Sequence, residues 1–214
     1  MEENEDENRV LKEVLEWALC VILAVLVALA TRYYLVTSSV VKQDSMYSTL
    51  EENQRVILSR ITRTSKGKYE RGDIVTFEAP SEISQGIGKD PSFLIAEYSY
   101  EPQGNLNKFI YYVLEAGKTS YIKRIIAIEG DLIKIEDGEV YLNGEKLEEE
   151  YLPDGVDTKS VYYNNLVVPE GCVFVMGDNR DKSMDSRAFG CIPVEKIEGK
   201  VKLRYWPLSK FGKV

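Results

Sequence analysis

Residues 17–31 read WALCVILAVLVALAT, fifteen positions without a charge. Such a run must be covered by lipid, by a protein core, or be cut away. Fifteen residues fall short of the roughly 20 that cross ~30 Å of hydrocarbon. If Arg32 extends its charge to the interface, residues 17–36 supply the length. Trp17 then anchors one end, and Tyr33 and Tyr34 the other. A transmembrane helix over 17–36 is the reading the residues favour. A cleavable signal peptide competes through Ala28-Leu29-Ala30, an A-x-A site, but its positive n-region is missing. A buried core helix is the third reading. Lys and Arg flank the run evenly, Arg9 and Lys12 against Arg32 and Lys42, so charge does not orient it.

The first 16 residues carry seven acids against those two bases, and are expected to form a solvated, disordered end. The whole chain of 214 residues has net charge −8, so the remainder is only mildly acidic, which argues against a nucleic-acid partner. There is no histidine. That excludes Ser-His-Asp and Cys-His nucleophile systems and the H-E-x-x-H zinc motif, and leaves Lys, Asp, Glu, Tyr or Cys as the only bases. Three cysteines without a C-x-x-C pair exclude the usual zinc frameworks, and no metal or cofactor is expected.

After residue 36, short β-like runs recur between Gly, Pro, Asn and Asp: 55–61, 73–78, 121–128, 132–136, 139–142, 172–176 and 200–206. Asp137-Gly138 is a two-residue hairpin turn, and Asn143-Gly144 offers another. The expected fold is mainly β, a β-sheet or barrel-like body behind one N-terminal transmembrane helix. Residues 81–119 break the rhythm and read as an inserted α/β subdomain or flap. Within it Leu106, Phe109, Ile110 and Val113 fall at helical spacing, which predicts a short amphipathic helix.

Three stretches carry unusual residues: VKQDSMYSTL at 41–50, YIKRIIAIEGD at 121–131 and GDNRDKSMDSRAFG at 177–190. On a strand, Tyr121, Lys123 and Ile125 share one face, and Ile122, Arg124 and Ile126 the other. At least one cation can therefore point inward, where it needs a partner or loses its proton. Taken alone, the pattern favours an exposed lysine on an edge strand. The third stretch packs Asp178, Arg180, Asp181, Lys182, Asp185 and Arg187 with two serines, an ion-paired loop rather than a solvated run. Cys172 and Cys191 bracket it, and whether they pair is left open.

Together these stretches resemble the bacterial type I signal peptidases, membrane-anchored serine proteases that remove signal peptides. Ser45-Met46 with Thr49-Leu50 is similar to the family's nucleophile box, and Arg71-Gly72-Asp73-Ile74-Val75 to its strand box. Tyr121-Ile122-Lys123-Arg124 with Gly130-Asp131 is similar to its lysine box. Gly177-Asp178-Asn179-Arg180, Ser183, Asp185-Ser186-Arg187 and Phe189-Gly190 are similar to its last box. The resemblance implies an endopeptidase with a Ser–Lys dyad, cutting exported preproteins after A-x-A-like sites. It places the N-terminus in the cytoplasm and the body, 37–214, outside, on the cell membrane. Signal-peptide-bearing preproteins and membrane lipid are the implied partners.

Carried over residue by residue, the resemblance makes Ser45 the nucleophile and Lys123 the general base. A lysine whose pKa falls to roughly 8 is neutral about a tenth of the time at pH 7, against about 0.04% for an ordinary one. Burial can supply that shift. Ser183 is the implied orienter of the lysine, and Asp178, Asp185 and Arg187 the ion pairs of the last box. The Ser45 backbone N–H is an expected oxyanion donor, with the Gln43 amide a second candidate. Val41 and Tyr47 are candidate walls for small substrate side chains, and Met46 is expected to face lipid. Gln43 and Ser48 depart from the family, which usually has glycine or serine at the first and proline at the second. They motivate an alternative, a catalytically impaired membrane-anchored paralogue acting in binding or assembly. Slow self-cleavage at Ala28-Leu29-Ala30 is a further alternative.

Overall fold

One continuous helix, α1 (Glu2–Tyr34), carries the N-terminal segment. The computed structural model describes residues 2–81, 94–159 and 163–214, with side chains from Arg9 onward. Residues 9–34 of α1 contain a window apolar and long enough to cross a bilayer, none of it buried in the protein. This removes the core-helix reading, because side chains such as Leu23 and Val27 have no protein to cover them. The acidic end, expected to be disordered, is helical from Glu2. Glutamates are good helix formers, and near an N-terminus they offset the positive end of the helix dipole. The helix stops at Tyr34, and Val36 already opens a strand, so the expected segment 17–36 overruns the helix by two residues.

The strands are β1 (Val36–Val40), β2 (Arg55–Ser59), β3 (Ile74–Glu78), β4 (Ser120–Ile128), β5 (Leu132–Glu136), β6 (Glu139–Leu142), β7 (Glu145–Lys146), β8 (Asn165–Val167), β9 (Cys172–Met176), β10 (Ile192–Pro193) and β11 (Ile197–Trp206). Short helices α2 (Ile61–Thr64), α3 (Asn105–Tyr112) and α4 (Ser186–Phe189) lie between them. Seven strands form one sheet in the order β1-β2-β11-β3-β4-β9-β10, and four form a second in the order β7-β6-β5-β8. Both sheets are open. Of the expected sheet or barrel-like core the described residues form the sheet, since β1 and β10 stand at opposite edges of the large sheet and do not pair.

β4 is central, antiparallel to β3 on one side and β9 on the other. Its apolar alternation serves two cores. Ile125 joins Val75, Phe77, Val175 and Phe189 in one, while Ile126 joins Ile133, Val140, Leu166 and Phe174 between the two sheets. A third cluster, with Val41, Met46, Leu50, Val56, Leu58, Ile74 and Val201, seats residues 41–50 on β2, β3 and β11. The second sheet is built on the expected hairpin. Asp137 (φ 51°) and Gly138 (φ 80°) make its turn, and Asn143 and Gly144 repeat the left-handed pair between β6 and β7.

Residues 82–93 of the expected insertion lie outside the described residues. Its remainder joins the body through a parallel bridge from Ile95 to Cys191 and carries the predicted helix as α3. Cys172 and Cys191 are both buried and both free thiols, so no disulfide closes the loop between them.

Candidate active site

The turn bearing Ser45 is held from both ends. Val41 N–H donates to Gln54 O at 2.9 Å, Asn53 N–H donates to Val41 O at 2.8 Å, and Leu50 N–H closes on Met46 O at 2.8 Å. Met46 and Leu50 are both 0% exposed. Met46 thus does not face lipid as expected. It is the apolar plug that fixes the residue after Ser45 to the core, and burying it returns more free energy than leaving it at an interface. Ser48 follows a cis peptide bond at Tyr47–Ser48.

Lys123 projects from β4, opposite Val75 of β3. It is therefore on a central strand, not the edge strand the pattern alone favoured. Its Nζ lies 2.6 Å from Ser45 Oγ. The two residues are 2% and 3% exposed, and the Tyr121 ring centroid is 5.5 Å from the Nζ. Burial pulls the Lys123 pKa down to about 8; the Asp185 and Asp178 carboxylates oppose that, and the Arg187 guanidinium adds to it. A lysine so placed is able to accept a proton from a hydroxyl at neutral to mildly alkaline pH.

The loop after β9 builds the surroundings. Asp185 caps α4 and is fully buried, accepting from Gly177 N–H at 3.0 Å and from Arg187 Nε and Nη2 at 2.8 and 2.9 Å. Arg187 Nη2 also donates to Arg180 O at 2.8 Å. Asp185 and Arg187 therefore pair, as expected. Asp178 pairs outside the loop: Arg124 Nε and Nη2 donate to it at 2.9 and 2.7 Å, Thr49 Oγ1 donates at 2.5 Å, and Arg124 stacks 3.9 Å above the Tyr151 ring. Arg180 reaches Glu149 and Thr158, which ties the loop after β9 to the segment after β7. Asn179 N–H donates to Ser45 O at 3.0 Å, and its side chain donates to Asp44 O at 3.1 Å.

Ser183 is brought beside Ser45 but not onto the lysine. A methyl group added to Gly177 would collide with Ser183 Oγ and with Ser45 O, so both pack on that glycine. The Ser183 hydroxyl is buried and makes no hydrogen bond among the described residues. The Ser45 N–H also takes part in no backbone hydrogen bond among the described residues, so it is available to an oxyanion. Gln43 is exposed at the mouth of a cleft walled by residues 39–43 on one side and 119–122 on the other, with Val56 and Thr76 also lining it. Val41 lines this cleft although nearly buried, while Tyr47 is 54% exposed and is not among its walls. A second groove, with Asp44, Glu52, Lys182 and Met184, meets the first at Lys42, Gln43 and Tyr121.

Sequence reasoning did not single out Arg124, Thr49, Asn179 or Gly177 as site residues. Arg124 carried a signal: it is the second cation of a strand whose faces are both buried. Thr49, Asn179 and Gly177 stand in the boxes shared with the family, and what they do becomes visible only when the two loops meet.

A family model described as signal peptidase, peptidase S26, matches residues 14–206. Signal peptidase I S of Bacillus subtilis (strain 168) is 31% identical over 211 residues, covering 94% of each chain. Signal peptidase IB of Staphylococcus aureus (strain COL) is 30% identical over 215 residues, 94% of this chain and 93% of that one. Thylakoidal processing peptidase 1, chloroplastic, of Arabidopsis thaliana is 32% identical over 203 residues, 95% of this chain and 52% of that protein. Among solved structures, a signal peptidase I from Enterococcus faecalis V583 aligns with 62% of this chain and 96% of its own, at 24% identity and a TM-score of 0.39. With matches of this length over both the membrane helix and the β body, the chain belongs to the peptidase S26 signal peptidase family.

Proposed function

We propose that this membrane-anchored serine peptidase removes signal peptides from preproteins with Ser45 as nucleophile and Lys123 as general base. The 2.6 Å contact between Lys123 Nζ and Ser45 Oγ, two nearly buried side chains, is the observation that carries the assignment. Ser45 Oγ attacks the scissile carbonyl carbon and its proton passes to Lys123 Nζ. The oxyanion is met by the Ser45 N–H and by the Gln43 amide. The C–N bond breaks as Lys123 returns the proton to the leaving amine. Water then attacks the acyl-enzyme, Lys123 takes its proton, and Ser45 is regenerated. Ser183, packed on the same glycine as Ser45, holds the nucleophile's turn in place, and its buried hydroxyl is without a partner among the described residues until substrate binding brings the lysine within its reach.

The cleft between 39–43 and 119–122 receives the extended segment before the cut. An extended peptide takes main-chain hydrogen bonds from strand edges, and Val41, Val56 and Ile122, apolar residues of a mixed lining, offer contact to small side chains such as alanine. Residues 1–16 lie in the cytoplasm, the helical part of 17–36 crosses the membrane, and 37–214 form the catalytic domain outside, with 81–119 inserted.

The test is cleavage, in detergent, of a purified preprotein whose signal peptide ends in A-x-A. The full-length protein is expected to release the mature chain, and Ser45→Ala or Lys123→Ala to lower kcat by about a thousandfold or more. Equal cleavage by either variant rejects the dyad. The pH profile is the second check. The working form of Lys123 is neutral and its pKa is about 8. kcat/KM is therefore expected to rise about tenfold per pH unit below that value and to level off above it. A profile flat from pH 6 to 9 rejects Lys123 as the base.

A further inference from the structure

The insertion places a helix at the membrane with its apolar side outward. α3 presents Leu106, Phe109, Ile110 and Val113 on one face by helical spacing. No residue of α3 is buried: Leu106 is 71% exposed and Phe109 43%. The opposite side is the one that meets the body, where Tyr111 OH donates to Glu78 at 3.1 Å. A helix on a water-soluble domain buries its apolar face against that domain; on α3, Leu106 and Phe109 stand in the open like Asn107 and Lys108, and Ile110 is only half-buried.

Its position says what covers that face. The body-side end of α1 is marked by Arg32, Tyr33 and Tyr34, the residue types that sit at a bilayer surface. Arg32 Nη2 donates to Leu114 O at 3.2 Å and to Glu115 at 3.3 Å, immediately after α3. Arg60, buried in the body, pairs with the same Glu115. Tyr112 lines a groove shared with Tyr33 and Tyr34. The C-terminal end of α3 is thus fastened to the point where α1 leaves the membrane.

We propose that α3 is an interfacial helix, with Leu106, Phe109, Ile110 and Val113 resting in the headgroup–acyl boundary of the bilayer that α1 crosses. Lys108 is the one charge on α3, so apolar burial rather than attraction to anionic lipid holds it, and a zwitterionic surface suffices. The contact fixes the tilt of the body on the membrane, and with it the height of the cleft whose far end is walled by Arg32 and Glu115. The inference rests on the membrane anchor and not on the Ser45–Lys123 pair, so its test reads depth rather than cleavage.

The experiment uses the full-length protein in phosphatidylcholine vesicles, with Cys20→Ser to remove the exposed thiol; Cys172 and Cys191 are buried. A polarity-sensitive fluorophore is attached in turn at Leu106→Cys, Phe109→Cys and Lys108→Cys. Lipids brominated near the top of the acyl chain are expected to quench the first two by about half and to leave Lys108→Cys little changed, in low or high salt. Equal quenching at all three positions, or none at Leu106 and Phe109, overturns the proposal. A blue-shifted but unquenched label at Leu106 also overturns it, because the face is then covered by protein.

Discussion

Replacing Lys123 with methionine is expected to abolish cleavage and, at neutral pH, to make the folded protein more stable. The lysine is 2% exposed, and burial lowers its pKa from 10.5 to about 8. Below pH 8 it is protonated in both the folded and unfolded chain, and folding bears the full penalty of holding a buried cation, about 3 kcal/mol. As pH rises from 8 to 10.5 the folded form is already neutral while the unfolded one still binds a proton. The penalty shrinks through that window and is gone above it. Methionine is of similar length and has no charge to desolvate, so the variant lacks the penalty at every pH. Thermal unfolding in detergent is expected to show Lys123→Met ahead of the parent by several degrees at pH 7, with the gap closing toward pH 10. Ser45→Ala, equally inactive, keeps the lysine and the parent's pH dependence. A Lys123→Met variant that is less stable at pH 7, with a gap independent of pH, rejects burial as the cause of the lowered pKa.

The same strain between folding and chemistry explains what could be read in advance. β9 at Cys172–Met176 and the β5–β6 hairpin match the expected boundaries, because their signals are local: a β-rich run, and a turn whose residues tolerate positive φ. α3 was legible from four apolar positions at helical spacing. β1, β8 and β10 were not, being short strands that exist through their partners rather than through propensity. Lys123 is the instructive failure of pattern alone. A charge inside an apolar strand reads as an exposed edge, since nothing local reports that β4 has a neighbour on each side. Only the resemblance to a family of lysine-dependent peptidases pointed inward. Met46 failed for a related reason: a methionine beside a nucleophile and near a membrane helix has two apolar destinations, and the cluster with Leu50, Val56 and Ile74 decides between them. The partner of Asp178 could not be chosen among nearby cations, and Arg124 wins it because β4 and the loop after β9 are adjacent in space, not in sequence.

Gly177→Ala is expected to cripple cleavage through a single methyl group. Gly177 follows β9, and its amide donates to the buried carboxylate of Asp185 at 3.0 Å. An added Cβ would stand 2.6 Å from Ser183 Cβ and collide with Ser183 Oγ and the carbonyl oxygen of Ser45. None of these is the free end of a long side chain: one is main chain, and the serine is held in a short loop. The Ser45 carbonyl also receives Asn179 N–H at 3.0 Å, so moving it shifts the turn that aims the hydroxyl at Lys123. Overpacking of this kind costs about 1–3 kcal/mol of stability. A displacement near 1 Å in the dyad costs about a hundredfold in kcat. Gly212→Ala is the matched control, since a Cβ there meets nothing within 4 Å. Preprotein cleavage and thermal unfolding on the two variants decide the matter. A Gly177→Ala protein that cleaves at the Gly212→Ala rate means the loop after β9 moves aside freely. In that case the close packing of Ser45, Ser183 and Gly177 does not hold the dyad in place.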